Sequence, residues 1–147
     1  MQLRNLKQVV LSAIIYTIMA QVINIVGTIF TMSYYTDPAN FRLWSRLMMP
    51  GNGPPGTEFF VASIAIGFLV GMIFAGAYSF LKGSIPGKGF TKGINFGLLL
   101  YLVSGVPFTL TTYLLLAVPA LLLLDWAVSS LVIYLIIGAA FAKIIVD

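Results

Sequence analysis

Residues 94–145 read INFGLLLYLV SGVPFTLTTY LLLAVPALLL LDWAVSSLVI YLIIGAAFAK II, a stretch of 52 positions interrupted by only two charges, Asp125 and Lys143. A helix crosses about 30 Å of hydrocarbon with about 20 apolar residues, each rising about 1.5 Å. The stretch is therefore too long for one crossing and right for two joined by a short turn. Pro119, following Ala117-Val118, is the best turn signal within it, so spans are expected over about 94–116 and 120–145.

Two more apolar runs lie upstream. Val9–Met32 is 24 residues and Phe59–Leu81 is 23, each long enough for a tilted crossing. Thr57 is placed to cap the second run, and Glu58 sits at the positive end of its helix dipole. The first run continues well past the roughly 7–15 residues of a signal-peptide core and lacks a small-residue cleavage site. An uncleaved first helix is expected.

Only eight Lys or Arg and four Asp or Glu occur among 147 residues, and 60% of the chain is apolar; mean hydropathy is +1.03. Soluble domains carry about a quarter of their residues as charges. One integral membrane domain over residues 1–147 follows, an all-α bundle of four transmembrane helices. The net charge of +4 lies beside apolar runs, which favours membrane orientation and anionic headgroups over nucleic acid. Cysteine and histidine are both absent. The chain thus lacks a thiolate nucleophile, the commonest general base and the commonest transition-metal ligand. No catalytic residue, metal site or cofactor is expected.

Placing the cations sets the orientation. With the N-terminus inside, the cytoplasmic segments hold Arg4, Lys7, Lys82, Lys88, Lys92 and Lys143, and the outside keeps Arg42 and Arg46. This asymmetry favours both termini in the cytoplasm of a plasma or inner membrane.

In the first outer loop, Thr36 or Asp37 can cap a helix with Pro38 at its first position. Phe41, Trp44, Leu47 and Met48 recur at helical spacing opposite Arg42, Ser45 and Arg46, and Pro50-Gly51 ends the pattern. A short amphipathic interfacial helix over about 38–49 is expected, with Trp44, Arg42 and Arg46 as its anchors. The inner loop from Lys82 to Gly89 approximates a phosphate loop, but its glycine spacing is one residue short. Gly89 also stands where a magnesium-binding hydroxyl is needed, so the loop reads as a basic turn able to touch anionic lipid. An echo links Ile73–Tyr78 before Lys82 to Ile136–Phe141 before Lys143, compatible with a parallel repeat.

Four features inside the spans carry polarity or close packing. Thr17, Gln21, Asn24 and Thr28 follow one another at spacings of four, three and four, which puts them on one stripe. Amides are costly in hydrocarbon, so the stripe is expected to face protein or water. It either bonds to other helices or lines a substrate path. Gly67, Gly71 and Ala75 form a small-residue ridge for close helix approach, with Ser63 one turn earlier. Pro107, inside Ser104-Gly105-Val106-Pro107 and followed by Thr109, Thr111 and Thr112, should bend the third span and free a carbonyl near residue 103.

Asp125 is the one charge able to lie inside. If the turn is at 117–119 it is about 9 Å into the last helix; if that helix starts at Trp126, it is an N-cap at the outer interface. The cap or shallow site is the favoured expectation. Were it buried, its partner would be the Gln21–Asn24 stripe or a neighbouring chain, and it would be a proton or ion site. The leading functional expectation is a non-catalytic subunit or scaffold, packing against other transmembrane helices in a homo-oligomer or larger complex. The alternative is a small oligomeric transporter or channel using Gln21 and Asn24, joined by Asp125 if it is buried.

Overall fold

The computed structural model describes residues 3–51 and 53–146 of the chain. All regular structure among the described residues is helical: α1 (Leu3–Thr36), a 3-10 turn (Pro38–Leu43), α2 (Thr57–Leu81), α3 (Gly89–Leu100), a π turn (Tyr101–Gly105), α4 (Val106–Leu115) and α5 (Ala120–Ile144). The α3, π and α4 segments run on as one rod over Gly89–Leu115. With α1, α2 and α5, this makes four rods long and apolar enough to cross a membrane, as the charge distribution leads one to expect of an integral membrane protein.

The helix ends follow local chemistry. α1 outruns its apolar stretch because neither Gly nor Pro lies between Met32 and Pro38, whose ring disfavours helical backbone at Asp37. Asp37 is accordingly extended (φ −71°, ψ 119°), and its side chain accepts from Ala39 N–H at 2.9 Å. α2 begins one residue earlier than a Thr57 cap requires. Gly56 holds the N-cap position without a side-chain bond, and its carbonyl accepts from Phe59 N–H at 3.1 Å.

The expected interfacial α-helix over 38–49 does not form. A six-residue 3-10 turn ends at Trp44, which is extended (ψ 142°) because its indole stacks on Tyr35, with centroids 4.8 Å apart. Ser45 then starts a separate turn, its Oγ accepting from Met48 N–H and its carbonyl from Met49 N–H. Asn40 ties the segment back to α1 by donating from Nδ2 to the Tyr34 carbonyl at 3.0 Å.

In the third rod Pro107 lacks the N–H an α-helix would use. The turn before it widens, so Val106 N–H reaches back five residues to the Tyr101 carbonyl. Thr109 Oγ1 donates to the Gly105 carbonyl at 2.8 Å.

α2 packs on α1, α1 on α5, and α5 on α3. The α3–α5 crossing is the tightest: a Cβ at Gly93, Gly97 or Gly138 would run into the backbone of the opposite helix. At the end of the bundle that carries both termini, Tyr78 of α2, Phe96 of α3 and Phe141 of α5 meet ring to ring at 5.0–6.4 Å. All three are essentially buried, together with Val9 and Ile137. At mid-height, Phe74 bridges Tyr16 and Tyr134 in edge contacts of 5.6 and 5.5 Å. Toward the other end the packing thins. The buried residues of α2 are Gly71, Ala75 and Tyr78, all in its C-terminal half, and α4 buries Thr112 alone. In the register of the internal echo Ala75 corresponds to Gly138 and Tyr78 to Phe141, and all four are buried.

Candidate functional site

The polar stripe of α1 divides among different tasks. Thr17, buried, donates to the Ala13 carbonyl one turn back at 2.9 Å. Gln21 reaches across to α2, its Nε2 donating to Ser63 Oγ at 3.0 Å, and that hydroxyl passes its own proton to the Phe60 carbonyl at 2.9 Å. Thr28 Oγ1 donates to the Asn24 carbonyl at 2.8 Å. Each of these side chains has a hydrogen-bond partner within the chain, and Gln21–Ser63 is a true interhelical bond.

Asn24 is different. Positions 13, 17, 20, 24, 27 and 31 share one face of α1 at alternating spacings of four and three. Ala13, Thr17, Gly27 and Thr31 on that face are buried and Ala20 is half-buried, whereas Asn24 is exposed. Its side-chain amide meets no partner among the described residues. The exposure arises where the bundle loosens, since this level of α1 faces the half of α2 that buries nothing fully. Asn24 lies about 5 Å from the midpoint of the Val9–Met32 run at 1.5 Å per residue, deep within the hydrocarbon zone.

Asp125 is not a cap. Pro119 holds the N-cap of α5 and the helix starts at Ala120, so Asp125 lies about 8 Å into it. The side chain is half-buried and turns to α1, though not to Gln21 or Asn24. Both carboxylate oxygens come within 3.0 Å of where a Gly27 Cβ would stand, with Ser129 Oγ at 3.2 Å. Glycine at position 27 leaves the room that the carboxylate occupies. Among the described residues it forms no ion pair.

Near it, one end of the α1–α5 seam is closed by aromatic rings. Trp126 Nε1 donates to Tyr35 Oη at 3.0 Å. Trp44 lies between the two, stacked on Tyr35 and edge-on to Trp126 at 6.4 Å. The Trp44 Nε1 is buried without a hydrogen-bond partner. Arg42 and Arg46 flank this cluster in sequence and are exposed.

No family model, curated protein or solved structure matches this chain.

Its candidate sites therefore rest on their own geometry. Among the described residues, no group of three His, Cys, Asp or Glu is gathered as metal binding requires. In the α2 ridge, Gly71 lies against α1, where a Cβ would meet Ala13 Cα at 2.8 Å. Gly67 faces Thr17 at ordinary contact distance, and Ala75 is fully buried. The α3–α5 contact of Gly93, Gly97 and Gly138 is closer still. It was visible as Gly93-x-x-x-Gly97 in an apolar segment, a signal that reading the ridge on the second span alone passes over.

Proposed function

We propose that the protein is a non-catalytic integral membrane subunit or scaffold that packs in the bilayer against further transmembrane helices, from copies of itself or from a larger complex. One observation carries this reading: the Asn24 amide is exposed and, among the described residues, unpartnered near the middle of a span, on a face of α1 whose other residues are buried or half-buried. Hydrocarbon offers it nothing, and a polar side chain or backbone carbonyl from another helix would satisfy it. Elsewhere on the stripe Gln21 bonds to α2 and the two threonines bond within α1, which favours packing over a continuous polar path.

In this reading both termini face the cytoplasm, by the six-to-two excess of cations on that side. The Tyr35, Trp44 and Trp126 cluster lies at the outer interface.

The test is extraction of the tagged protein from its native membrane in mild detergent. The wild-type chain should elute with partner chains or as a multimer, and Asn24→Leu should release it. A monodisperse monomer for the wild type, both in detergent and in lipid nanodiscs, would overturn the proposal.

A second reading, a small oligomeric transporter, draws support from the Asp125 carboxylate inside the span without an ion-pair partner among the described residues. Proteoliposomes carrying Asp125→Asn would then lose a cation or proton flux that the wild type supports.

A further inference from the structure

Asp125 and Ser129 stand one turn apart on one face of α5, and both turn toward Gly27 of α1. The two carboxylate oxygens lie 3.0 Å, and Ser129 Oγ 3.2 Å, from the point where a Gly27 Cβ would stand. Three oxygens from two side chains thus converge on one spot of the α1–α5 seam, where glycine contributes no side chain of its own. Ser129 is only 9% exposed. Neither its hydroxyl nor the Asp125 carboxylate takes part in a hydrogen bond or ion pair among the described residues.

A buried hydroxyl without a partner leaves its desolvation uncompensated, and such groups are rare. Here it lies beside a charge that the surrounding groups do not neutralise. Thr31 Oγ1, one turn on from Gly27, gives its proton to the Gly27 carbonyl at 3.0 Å. Thr28 Oγ1 gives its own to the Asn24 carbonyl at 2.8 Å. A hydroxyl has one proton to donate, so neither has one left for the carboxylate. Arg42 and Arg46 belong to the loop whose Trp44 touches Trp126. Both are exposed and form no ion pair among the described residues.

We propose that Asp125 and Ser129 form a binding site for a monovalent metal cation in the α1–α5 seam. The donors are all oxygen, which suits a hard cation, and the chain has no His or Cys for a softer one. One carboxylate balances one positive charge. A calcium ion would need about 6–8 oxygens, and no group of three His, Cys, Asp or Glu is gathered among the described residues. Asp125 is half-buried about 8 Å into α5, so water can complete the coordination from the side of the helix start. Ser129 lies about 6 Å deeper. A bound cation neutralises a carboxylate that the bilayer disfavours. The inference deepens the second reading above and rests on its placement of Asp125, but binding does not require transport.

The experiment is thermal unfolding of the purified full-length protein in detergent micelles, followed by circular dichroism, with sodium chloride replaced by choline chloride at constant ionic strength. The wild-type midpoint should rise by about 3–5 °C at a sodium concentration roughly ten times Kd. Asp125→Asn should abolish the dependence. Ser129→Ala should raise the half-saturating concentration about fivefold. Ser129→Thr keeps the hydroxyl and should keep that concentration, which guards against an asparagine variant that fails to fold. Glu58→Gln removes an exposed acid outside the seam and should leave the response unchanged. Equal midpoints in sodium and choline would overturn the proposal, as would a sodium response that survives Asp125→Asn. A midpoint that follows pH and ignores sodium would also overturn it and assign the carboxylate a proton instead. Flux into proteoliposomes is scored separately. Sodium binding without flux keeps the site and removes the transporter reading, whereas proton flux without sodium binding does the reverse.

Discussion

The Asp125 carboxylate lies over Gly27, with both oxygens within 3.0 Å of the point a Cβ would occupy. One helix thus accommodates the charge of another by omitting a side chain. Gly27→Val should destabilise the bundle by about 1–3 kcal/mol through overpacking. Adding Asp125→Ala to the same chain should restore part of that loss, with a coupling of at least about 0.5 kcal/mol in a double-mutant cycle. Strictly additive costs, measured by reversible unfolding in bicelles, would show that the two residues do not compete for one space.

Gly97 and Gly138 make the closest helix approach in the molecule, and Gly76 faces open space. Leucine at 97 or 138 should therefore force α3 and α5 apart and lower the unfolding midpoint sharply. Gly76→Leu should leave it near the wild-type value or raise it slightly, since glycine weakens a helix interior by about 1 kcal/mol. Equal effects at the three positions would contradict the packing described.

Gln21 and Ser63 carry the interhelical hydrogen bond between α1 and α2. Single Gln21→Leu and Ser63→Ala changes, with the double, should give a coupling of about 0.6 kcal/mol, the scale found for such bonds in membranes. A coupling indistinguishable from zero would remove this bond from the account of how α2 is held.

The chain has two tryptophans, and they touch one another. Trp126→Phe removes the donor to Tyr35 and should cost about 1 kcal/mol. The remaining Trp44 fluorescence should shift to longer wavelength and become more accessible to aqueous acrylamide, because one wall of its surroundings is altered. An unchanged Trp44 spectrum would mean the cluster does not form.

Absence of cysteine makes topology directly measurable with single substitutions. Under the proposed orientation, Ser45→Cys should react with an impermeant maleimide applied from outside, and Ser84→Cys only after the membrane is opened. The reverse pattern would invert the orientation.

The four rods and their separation at 117–119 were legible because spacing between charges depends on bilayer thickness alone. Features that depend on another helix were not. The pattern Phe41, Trp44, Leu47, Met48 reads as one amphipathic helix, but Trp44 finds a better surface on Tyr35 than along its own segment, and the helix breaks there. Asp125 could be read as a cap, a shallow site or an interior charge, and the helix start at Ala120 excludes the cap alone. The spacing from Thr17 to Thr28 puts four polar residues on one stripe of α1. That Asn24 alone lies uncovered depends on where α2 loosens, which no periodicity in α1 records. Pro107 announced a distortion, while the widened turn that absorbs it, Tyr101–Gly105, is one of several possible remedies.

That widened turn has a consequence for the phase of the third rod. In an uninterrupted α-helix the face bearing Gly93 and Gly97 would continue through Leu100, Ser104, Phe108 and Thr111. Instead Gly105 and Thr112 are buried, and Phe108 and Thr111 are exposed. The rod holds one residue more than its α-helical repeat needs, and everything beyond it is rotated by about 100°. Length at 101–105 thus acts as a selector of which side of α4 meets α5. Removal of a single residue there would exchange a threonine-lined seam for one bearing Phe108, with no substitution at the contact itself.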